Sequence, residues 1–352
     1  MKIALIHYRL INRGGLENRL KNYSTWLCQN GHDIDIICAK EENIDIPSEI
    51  SIIKIGLGWT PKLLRKWRFS QKVKEYLSAH EYDLSLSLGR TQGQDIVLAP
   101  SNHLGYMKAH GQKKKKWKDR IQIILDANSY HSSKVILAAS QMIKKELIDH
   151  YWIKEDKIKV LPPPIEIKNF KLLKNQKEFL QKKWNISDQK KNFLFVSTGH
   201  KNKGLPLLNK LFKQLEDAKY HLYIVGYPSV KPKHNNITYI GYCKDAQTLN
   251  ELYAAVDFTI HPSTYDAFGQ IVTESLQSGT PVIISKNVGA KEIITPNRGI
   301  MANSFEIKEW LEIIKNIDSN QFSVEENIGQ LLGLDLDQHM KKILAFTNTE
   351  TI

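Results

Sequence analysis

The sequence predicts an α/β protein with two domains, each a parallel β-sheet covered by helices. The chain has 352 residues, of which 41% are hydrophobic, so it is long enough for two ordinary domains with substantial cores. Short runs rich in β-branched residues alternate with segments of helical periodicity along both halves. Such alternation is typical of parallel sheets, which bind ligands at the carboxyl ends of their strands.

The first half begins with a β-loop-α-β unit. The run at residues 2–7 predicts a buried strand, and a loop containing Gly14 and Gly15 follows it. Apolar residues at helical spacing from Leu16 predict a helix, which Asn30 and Gly31 terminate. Further strands of the same sheet are expected at residues 33–39, 52–55, 84–88, 96–99 and 135–139.

Three consecutive prolines divide the chain. Pro162, Pro163 and Pro164 cannot join a central strand, and such a stiff segment commonly separates folding units. We therefore expect a first domain at residues 1–164 and a second at residues 165–325. The remaining segment, residues 326–352, ends in a helix that we expect to return to the first domain.

The alternation restarts after the prolines. The apolar runs predict strands at residues 193–198, 221–225, 237–239, 258–261 and 282–284. Helical spacing predicts helices at residues 206–215, 246–255 and 270–278. The second domain is therefore expected to resemble the first.

Composition narrows the class of protein. Three cysteines without a CxxC pair argue against a disulfide framework or a thiolate metal site and favour a reducing cytoplasm. No run approaches the roughly 20 apolar residues of a membrane span, and we expect no signal peptide. The formal net charge of +13 indicates attraction to an anion, whether nucleic acid, acidic lipid or a phosphorylated substrate.

The densest basic segment lies in the first half, where seven cationic residues fall between positions 108 and 120. This segment also contains Tyr106 and Met107. Its centre is our candidate for contact with an anionic membrane surface or with the acceptor, and consists of Lys113, Lys114, Lys115, Lys116 and Trp117. A solvated face without a partner is the alternative.

Residues 261–285 carry the most information. Asp266 precedes a helix that begins at Phe268 and Gly269, and Glu274 follows eight residues after Asp266. The unpaired amides at the helix start suit a diphosphate. The two carboxylates suit hydroxyl groups, Glu274 on a ribose and Asp266 on a sugar. Asp266 as a helix cap and Glu274 as an ordinary helical acid are the alternatives.

These motifs resemble those of the retaining glycosyltransferases of family 4, whose GT-B fold has two Rossmann-like domains facing each other across a cleft. The resemblance covers nearly the whole chain and is strongest in the segment Asp266-Ala-Phe-Gly through Glu274. The family usually has Glu where Asp266 stands. It also tends to have an Arg where His200 or Lys201 stands here, whereas Lys203 matches the family's Lys.

The resemblance implies a metal-independent hexosyltransferase that needs no cofactor. It would transfer a hexose with retention from a nucleotide diphosphate sugar, with a UDP-sugar favoured. The first domain would bind the acceptor and the second the donor. The catalytic residues implied are Asp266, Lys203 and His103, with Asp95 as a second choice for the last. The donor-binding residues implied are Gly14, Gly15, His200, Lys201, Lys203, Phe268, Gly269 and Glu274.

Within the family, the chain is most similar to enzymes that build the lipopolysaccharide core by adding glucose to heptose. The likeness implies a lipopolysaccharide core or another lipid-linked cell-envelope glycan as acceptor. It also implies a cytoplasmic, peripheral protein at the inner face of the cytoplasmic membrane. Two alternatives are a basic nucleic-acid-binding protein and a GT-B nucleotide-sugar epimerase. The sequence has no zinc-finger, RNP-like or helix-turn-helix pattern, and singles out no extra acid/base carboxylates for an epimerase.

Overall fold

The computed structural model describes residues 1–11, 14–42, 44–173, 176–197, 199, 201–226, 234–243 and 245–346. The chain forms two compact units. The first contains Met1–Pro162 together with residues 337–346, and the second is Pro163–Leu336. The chain passes from one unit to the other within the proline segment.

The first unit is built on a sheet of seven strands that all pair in parallel. In order across the sheet, they are Ser51–Lys54, Asp33–Cys38, Lys2–Ile6, Leu84–Ser87, Ile96–Ala99, Val135–Ala138 and Ile158–Val160. The central strands are almost continuously buried because helices cover both faces of a parallel sheet. The strand order reverses beside Lys2–Ile6, so the carboxyl ends of Lys2–Ile6 and Leu84–Ser87 form a topological switch point.

The helices of the first unit pack on this sheet. They are Gly15–Gln29, Arg65–Ala79, His103–Ala109, Trp117–Ser132 and Gln141–Tyr151, with a 3₁₀ turn at Glu155–Lys157 and a two-stranded parallel ribbon of Arg9–Leu10 and Lys40–Glu41. The last helix of the described chain, Leu336–Ala345, contributes His339, whose Nε2 is hydrogen-bonded to the hydroxyl of Tyr23.

The second unit repeats the design with six parallel strands. In order, they are Ile237–Gly241, Tyr220–Val225, Lys191–Val196, Phe258–His261, Val282–Ser285 and Gly299–Ala302. Its switch point lies at the carboxyl ends of Lys191–Val196 and Phe258–His261. The helices are Lys177–Trp184, Leu205–Phe212, Ala246–Ala255, Gln270–Gln277, Ile307–Asn316 and Ile328–Leu331, with 3₁₀ turns at Gly289–Ile293 and Ser319–Gln321.

The α/β class and the two parallel sheets predicted from the sequence are confirmed, and each predicted strand forms with its ends within two residues of those expected. Two further strands, Ile158–Val160 and Gly299–Ala302, lie at sheet edges. They are too short, at three and four residues, to give a distinct periodic signal.

Residues 326–336 lie in the second unit, whereas the sequence analysis grouped them with the C-terminal helix. Hydrogen bonds account for this placement. The amide of Ile165 donates to the carbonyl of Leu334 at 2.8 Å, and the amide of Gly329 donates to Oε1 of Gln277 at 2.8 Å. Within the described ranges, no helix has the length and apolar character of a membrane span.

Candidate functional site

Two loops of the second unit meet at its switch point through a shared carboxylate. Lys203 follows the strand Lys191–Val196, and its Nζ lies 2.5 Å from Oδ2 of Asp266. His261 ends the strand Phe258–His261, is only 2% exposed, and its Nε2 lies 2.8 Å from the same oxygen. Since the carboxylate can only accept, Nε2 carries the hydrogen. The three side chains form one hydrogen-bonded cluster where α/β sheets bind ligands.

Charge and burial fix the ionisation states in this cluster. Burial on its own would raise the pKa of Asp266, but the hydrogen bond from His261 and the charge of Lys203 hold that pKa well below its usual range. Burial lowers the pKa of His261 by more than Asp266 raises it, so the imidazole is neutral at physiological pH. The cluster is therefore a carboxylate held between an ammonium group and a neutral imidazole.

Asp266 does not act as a helix cap. The helix Gln270–Gln277 begins after Gly269, and its N-terminus has no capping hydrogen bond from a side chain of the described residues. The main chain of Asp266 pairs instead with the following loop, because its amide donates to the carbonyl of Asn287 at 3.0 Å and its carbonyl accepts from Gly289 at 2.9 Å. The loop thereby fixes the position of the carboxylate independently of the helix.

The loop that carries Lys203 is fixed by its neighbour, Asn202. The Asn202 carbonyl accepts from the amide and the hydroxyl of Thr264, at 3.0 and 2.9 Å, and from the hydroxyl of Ser263 at 3.2 Å. Gly204 then passes so close to Pro262 that an added Cβ would lie 2.2 Å from the Pro262 carbonyl oxygen. With a φ of 95°, this position requires glycine on both counts.

Two helices begin at this edge of the sheet. Leu205–Phe212 follows Gly204 and Gln270–Gln277 follows Gly269, and both glycines have a left-handed backbone. The first amides of a helix lack main-chain acceptors, and its dipole is positive at that end. Both helix starts, together with Lys203, therefore direct positive charge to the same edge.

Glu274 lies in the helix that starts after Gly269. Its Oε2 accepts a hydrogen bond from the hydroxyl of Tyr253 at 3.0 Å. Burial raises the pKa of Glu274 to about 7, partly opposed by the Tyr253 bond and assisted by the charge of Glu166. Among the described residues, no cation pairs with it. It is therefore a carboxyl group poised to ionise near neutral pH, unlike an ordinary exposed helical acid.

The other donor-site residues suggested by the resemblance lie in different surroundings. Lys201 is exposed, and His200 lies outside the described residues. The Phe268 side chain is 3% exposed and belongs to the core, while its carbonyl accepts from the amide of Ala290 at 2.7 Å. A contact from Phe268 to a ligand would therefore come from its main chain.

Gly14 and Gly15 lie in the first unit. Gly14 has a φ of 107° and precedes the helix Gly15–Gln29. A Cβ at Gly14 would lie 2.3 Å from Oε2 of Glu17. Glu17 is 4% exposed, forms an ion pair with Arg9 at 2.8 Å, and faces His7 at 3.7 Å. The sequence analysis missed Glu17, although an acid in the first turn after a Gly-Gly loop was the available signal.

His103 is committed to a structural contact within the first unit. Its Nε2 lies 2.9 Å from Oδ1 of Asp119, and its amide donates to Oδ2 of Asp126 at 2.7 Å. Asp119 also accepts from the amide of Lys116 at 2.8 Å, which caps the helix Trp117–Ser132. His103 thus anchors the start of this helix, and a role on a sugar would require the bond to Asp119 to open.

Asp95 does not lie at the carboxyl edge of the sheet, where ligands bind. Its Oδ2 accepts from the amide and hydroxyl of Ser85, at 2.8 and 2.6 Å, and its Oδ1 lies 3.3 Å from Nζ of Lys134. It precedes the strand Ile96–Ala99 and so lies at the amino end of the sheet. Asp95 is therefore a structural residue rather than a substitute for His103.

The lysine run is exposed throughout. Lys113–Lys116 face solvent, and Trp117 is 65% exposed at the start of the helix Trp117–Ser132. Ile124, two turns further along the same helix, is 52% exposed. Residues seven apart share a helix face, so a basic loop is followed by an exposed apolar stripe. In the described part of the chain, no three His, Cys, Asp or Glu side chains are grouped as for a metal ion.

Family models match both halves of the chain. Residues 13–169 match the model described as Glycosyltransferase Family 4, and residues 176–330 match the model described as Glycosyl transferases group 1. The two matches correspond closely to the two structural units.

Individual proteins are similar over most of their length. A protein described as a "Probable transglycosylase" from Burkholderia thailandensis is 29% identical over 302 residues, covering 84% of this chain and 81% of its own. The lipopolysaccharide glucosyltransferase WaaG of Escherichia coli is 20% identical over 336 residues, covering 90% and 89%.

Solved structures share the fold. The crystal structure of WaaG superimposes with a TM-score of 0.74 at 19% identity, covering 99% of this chain and 96% of that one. Anabaena HepE, solved in complex with UDP and glucose, gives a TM-score of 0.72 at 16% identity, covering 99% and 100%.

Proposed function

The chain is a glycosyltransferase of the GT-B fold, with a family 4 domain followed by a group 1 domain, and we propose that it transfers a hexose from a nucleotide diphosphate sugar to a cell-envelope glycan. The observation that carries the proposal is the cluster of Lys203, Asp266 and His261 between two helix starts, with Glu274 in one of these helices. A UDP-sugar is the favoured donor, since a neighbour of the same fold was solved with UDP and glucose.

The diphosphate is assigned to the positive edge. Lys203 and the amides at the starts of the two helices stabilise the negative charge that develops on the departing diphosphate. Lys203 is already held at 2.5 Å from Asp266, so it is positioned before the donor binds. A preorganised cation of this kind stabilises the transition state without further rearrangement. Lys201, and His200 outside the described residues, are assigned to the same diphosphate.

The two carboxylates are assigned to hydroxyl groups. Oδ2 of Asp266 is occupied by Lys203 and His261, whereas Oδ1 has no donor among the described residues and can accept from a hexose hydroxyl. Glu274 accepts from the ribose hydroxyls while Tyr253 holds its Oε2. Gly14 and Gly15, and His103 once released from Asp119, remain assigned to the donor sugar as the family resemblance implies.

We assign retention of configuration to the reaction. In this scheme the leaving phosphate oxygen accepts the proton of the incoming hydroxyl on the same face of the sugar. The enzyme contributes position and charge stabilisation rather than a nucleophile. The acceptor is assigned to a lipopolysaccharide core or another lipid-linked glycan, with support from the likeness to WaaG, which bears the name lipopolysaccharide glucosyltransferase.

The lysine run is assigned to the inner face of the cytoplasmic membrane. Lys113–Lys116 are exposed and next to Trp117, and each basic residue near an anionic leaflet contributes about 1 kcal/mol. Vesicles with 30% anionic lipid should therefore sediment the protein, and vesicles of neutral lipid should not. Replacing Lys113–Lys116 by glutamine should abolish this difference, and binding that is equal for both vesicles would refute the assignment.

The donor assignment is tested by thermal stabilisation with UDP, GDP and ADP and their sugars. A bound ligand raises the melting temperature by mass action. One nucleotide series should stabilise the protein, and Glu274→Gln should remove the shift whereas Glu312→Gln, an exposed acid of the same unit, should retain it. No shift with any nucleotide, or the same shift in both variants, would contradict the proposal.

A further inference from the structure

A cavity of about 160 Å³ lies at the switch point of the first unit. His7, which follows the strand Lys2–Ile6, lines it together with Gly89 and Arg90, which follow the strand Leu84–Ser87. An open α/β sheet binds its ligands at such a point. At roughly 30 Å³ per water molecule, the cavity holds about five waters. It therefore fits a small polar group rather than a whole nucleotide.

Two of the lining residues carry buried polar atoms without a hydrogen-bond partner among the described residues. His7 is 8% exposed and its Nδ1 has no partner, and Ser129 is fully buried and its Oγ has none. Nε2 of His7 is directed to Glu17, 3.7 Å away, so Nδ1 is left for another group. Because buried polar atoms are normally hydrogen-bonded, these two indicate a polar ligand.

Two cations border the same cavity. Arg90 is hydrogen-bonded through Nε to Asp126 and through Nη1 to Gln122, at 2.9 Å for the latter, which leaves Nη2 for a ligand. Lys66 has no ion-pair or hydrogen-bond partner in the part of the chain that the structure describes. The Lys66 side chain is exposed overall, but desolvation of its ammonium group beside the cavity, and the charges of Arg90 and Arg9, lower the pKa of Lys66.

The lining contains no carboxylate, and Asp126 pairs with Arg90 from outside it, so Lys66 is the cation left without a counter-charge. A second, shallower cavity of about 360 Å³ shares Tyr8 with the first and is lined by Lys40, Lys54 and Arg65. The basic surface therefore continues beyond the first cavity. A neutral sugar would leave this charge uncompensated, whereas an anionic group would neutralise it.

Building on the proposed transferase function, we propose that the cavity of the first unit binds a phosphoryl group carried by the acceptor sugar. Lys66 and Arg90 contact its oxygens, and Nδ1 of His7 and the hydroxyl of Ser129 complete the hydrogen bonds. These four polar groups match the three oxygens of a phosphoryl group better than the two of a carboxylate. The acceptor class is therefore a phosphorylated glycan.

The test titrates three probes into the full chain by calorimetry: glucose 6-phosphate, glucuronate and glucose. Saturating UDP is present so that the donor site is not available to the probes. Glucose 6-phosphate should bind at least tenfold more tightly than glucuronate, and glucose should give no measurable heat. Lys66→Met should lower the affinity for glucose 6-phosphate at least tenfold, and Lys66→Arg should retain most of this affinity. Lys74→Met, at an exposed lysine of the same helix, should change it less than twofold.

Three results would overturn the inference. They are glucose 6-phosphate that binds no better than glucose, glucuronate that binds as tightly as glucose 6-phosphate, and Lys66→Met and Lys74→Met variants that weaken binding to the same extent. The affinity for UDP, measured separately, tells this inference apart from the proposed function. If the wild-type protein binds no UDP, the donor assignment is contradicted. The comparison of the three probes still tests whether the cavity of the first unit binds a phosphoryl group.

Discussion

Replacing Glu274 by glutamine should stabilise the protein at alkaline pH and at the same time weaken nucleotide binding. The folded protein holds a proton on Glu274 up to a pKa of about 7, whereas the unfolded chain loses it near 4.5. Between these two values the folded state binds more protons than the unfolded state. The contribution of Glu274 to the free energy of unfolding therefore falls as the pH rises through this window, and the loss is complete above pH 7.

The size of the effect follows from the pKa difference. At about 1.4 kcal/mol per pKa unit, a difference of about 2.5 between the folded and unfolded pKa values sets a ceiling of roughly 3.5 kcal/mol. Because Glu274 is only part-buried, solvent screening reduces the expected value to about 1–2 kcal/mol. Glutamine keeps an oxygen that accepts from Tyr253 and carries no charge, so Glu274→Gln should gain this amount at pH 8 and only about a quarter of it at pH 5.

The assay is denaturant unfolding of wild type and Glu274→Gln at pH 5 and pH 8, with Glu312→Gln as the matched loss of an exposed acid. The difference between wild type and Glu274→Gln should widen toward pH 8, and that between wild type and Glu312→Gln should not. The same substitution should make the free energy of UDP binding less favourable by about 1.5–3 kcal/mol, the usual value for a hydrogen bond to a charged group. A Glu274→Gln protein that is no more stable than wild type at pH 8 would refute the reasoning.

Three further predictions concern the same unit. Asp266→Asn should retain UDP affinity, because Lys203 is then no longer neutralised, but should lower kcat/KM for the nucleotide sugar by roughly 10- to 150-fold. Steady-state kinetics and UDP calorimetry test this, and equal losses in kcat/KM and in UDP affinity would contradict it. Tyr253→Phe removes the bond that lowers the pKa of Glu274, so the pH midpoint of UDP binding should move upward, and an unchanged or lower midpoint would count against the assignment. Gly204→Ala should destabilise the protein by about 3 kcal/mol or more, because strain at positive φ adds to a clash with Pro262. Gly241→Ala is the control: at a φ of 100° with no atom within 4 Å, it should cost only the strain, roughly 1–2 kcal/mol. Equal melting temperatures of the two variants would contradict the predicted clash.

The fold was predictable because buried parallel strands appear in the sequence as continuous apolar runs. The runs at Ile96–Ala99 and Val135–Ala138 are of this kind, and the helix Ala246–Ala255 has the bounds that its spacing predicts. The edge strand Gly299–Ala302 was not predictable, because a four-residue edge strand that starts at glycine carries too little pattern. Its place in the sheet comes from pairing with Val282–Ser285.

The candidate site of the second unit was predictable in part. Asp266, Lys203 and Glu274 lie in short motifs that bring the ligand chemistry together within a few residues of a helix start. The role of His261 was not predictable, because a histidine at the end of a buried strand does not indicate its hydrogen-bond partner. Its bond to Asp266 depends on a turn that folds the loop back over five residues.

The cavity of the first unit was not predictable at all. His7, Lys66, Arg90 and Ser129 come from four separate segments, and none stands in a motif. They come together because the strand order reverses beside Lys2–Ile6, and this order follows from long-range pairing rather than from local pattern.

A crystal structure of the full chain with bound UDP would test the central claim most directly. The diphosphate should lie within hydrogen-bond distance of Nζ of Lys203 and of the amides at the starts of Leu205–Phe212 and Gln270–Gln277, with a ribose hydroxyl on Glu274. A nucleotide bound elsewhere, or a Glu274 that contacts only Tyr253 in the complex, would contradict the account.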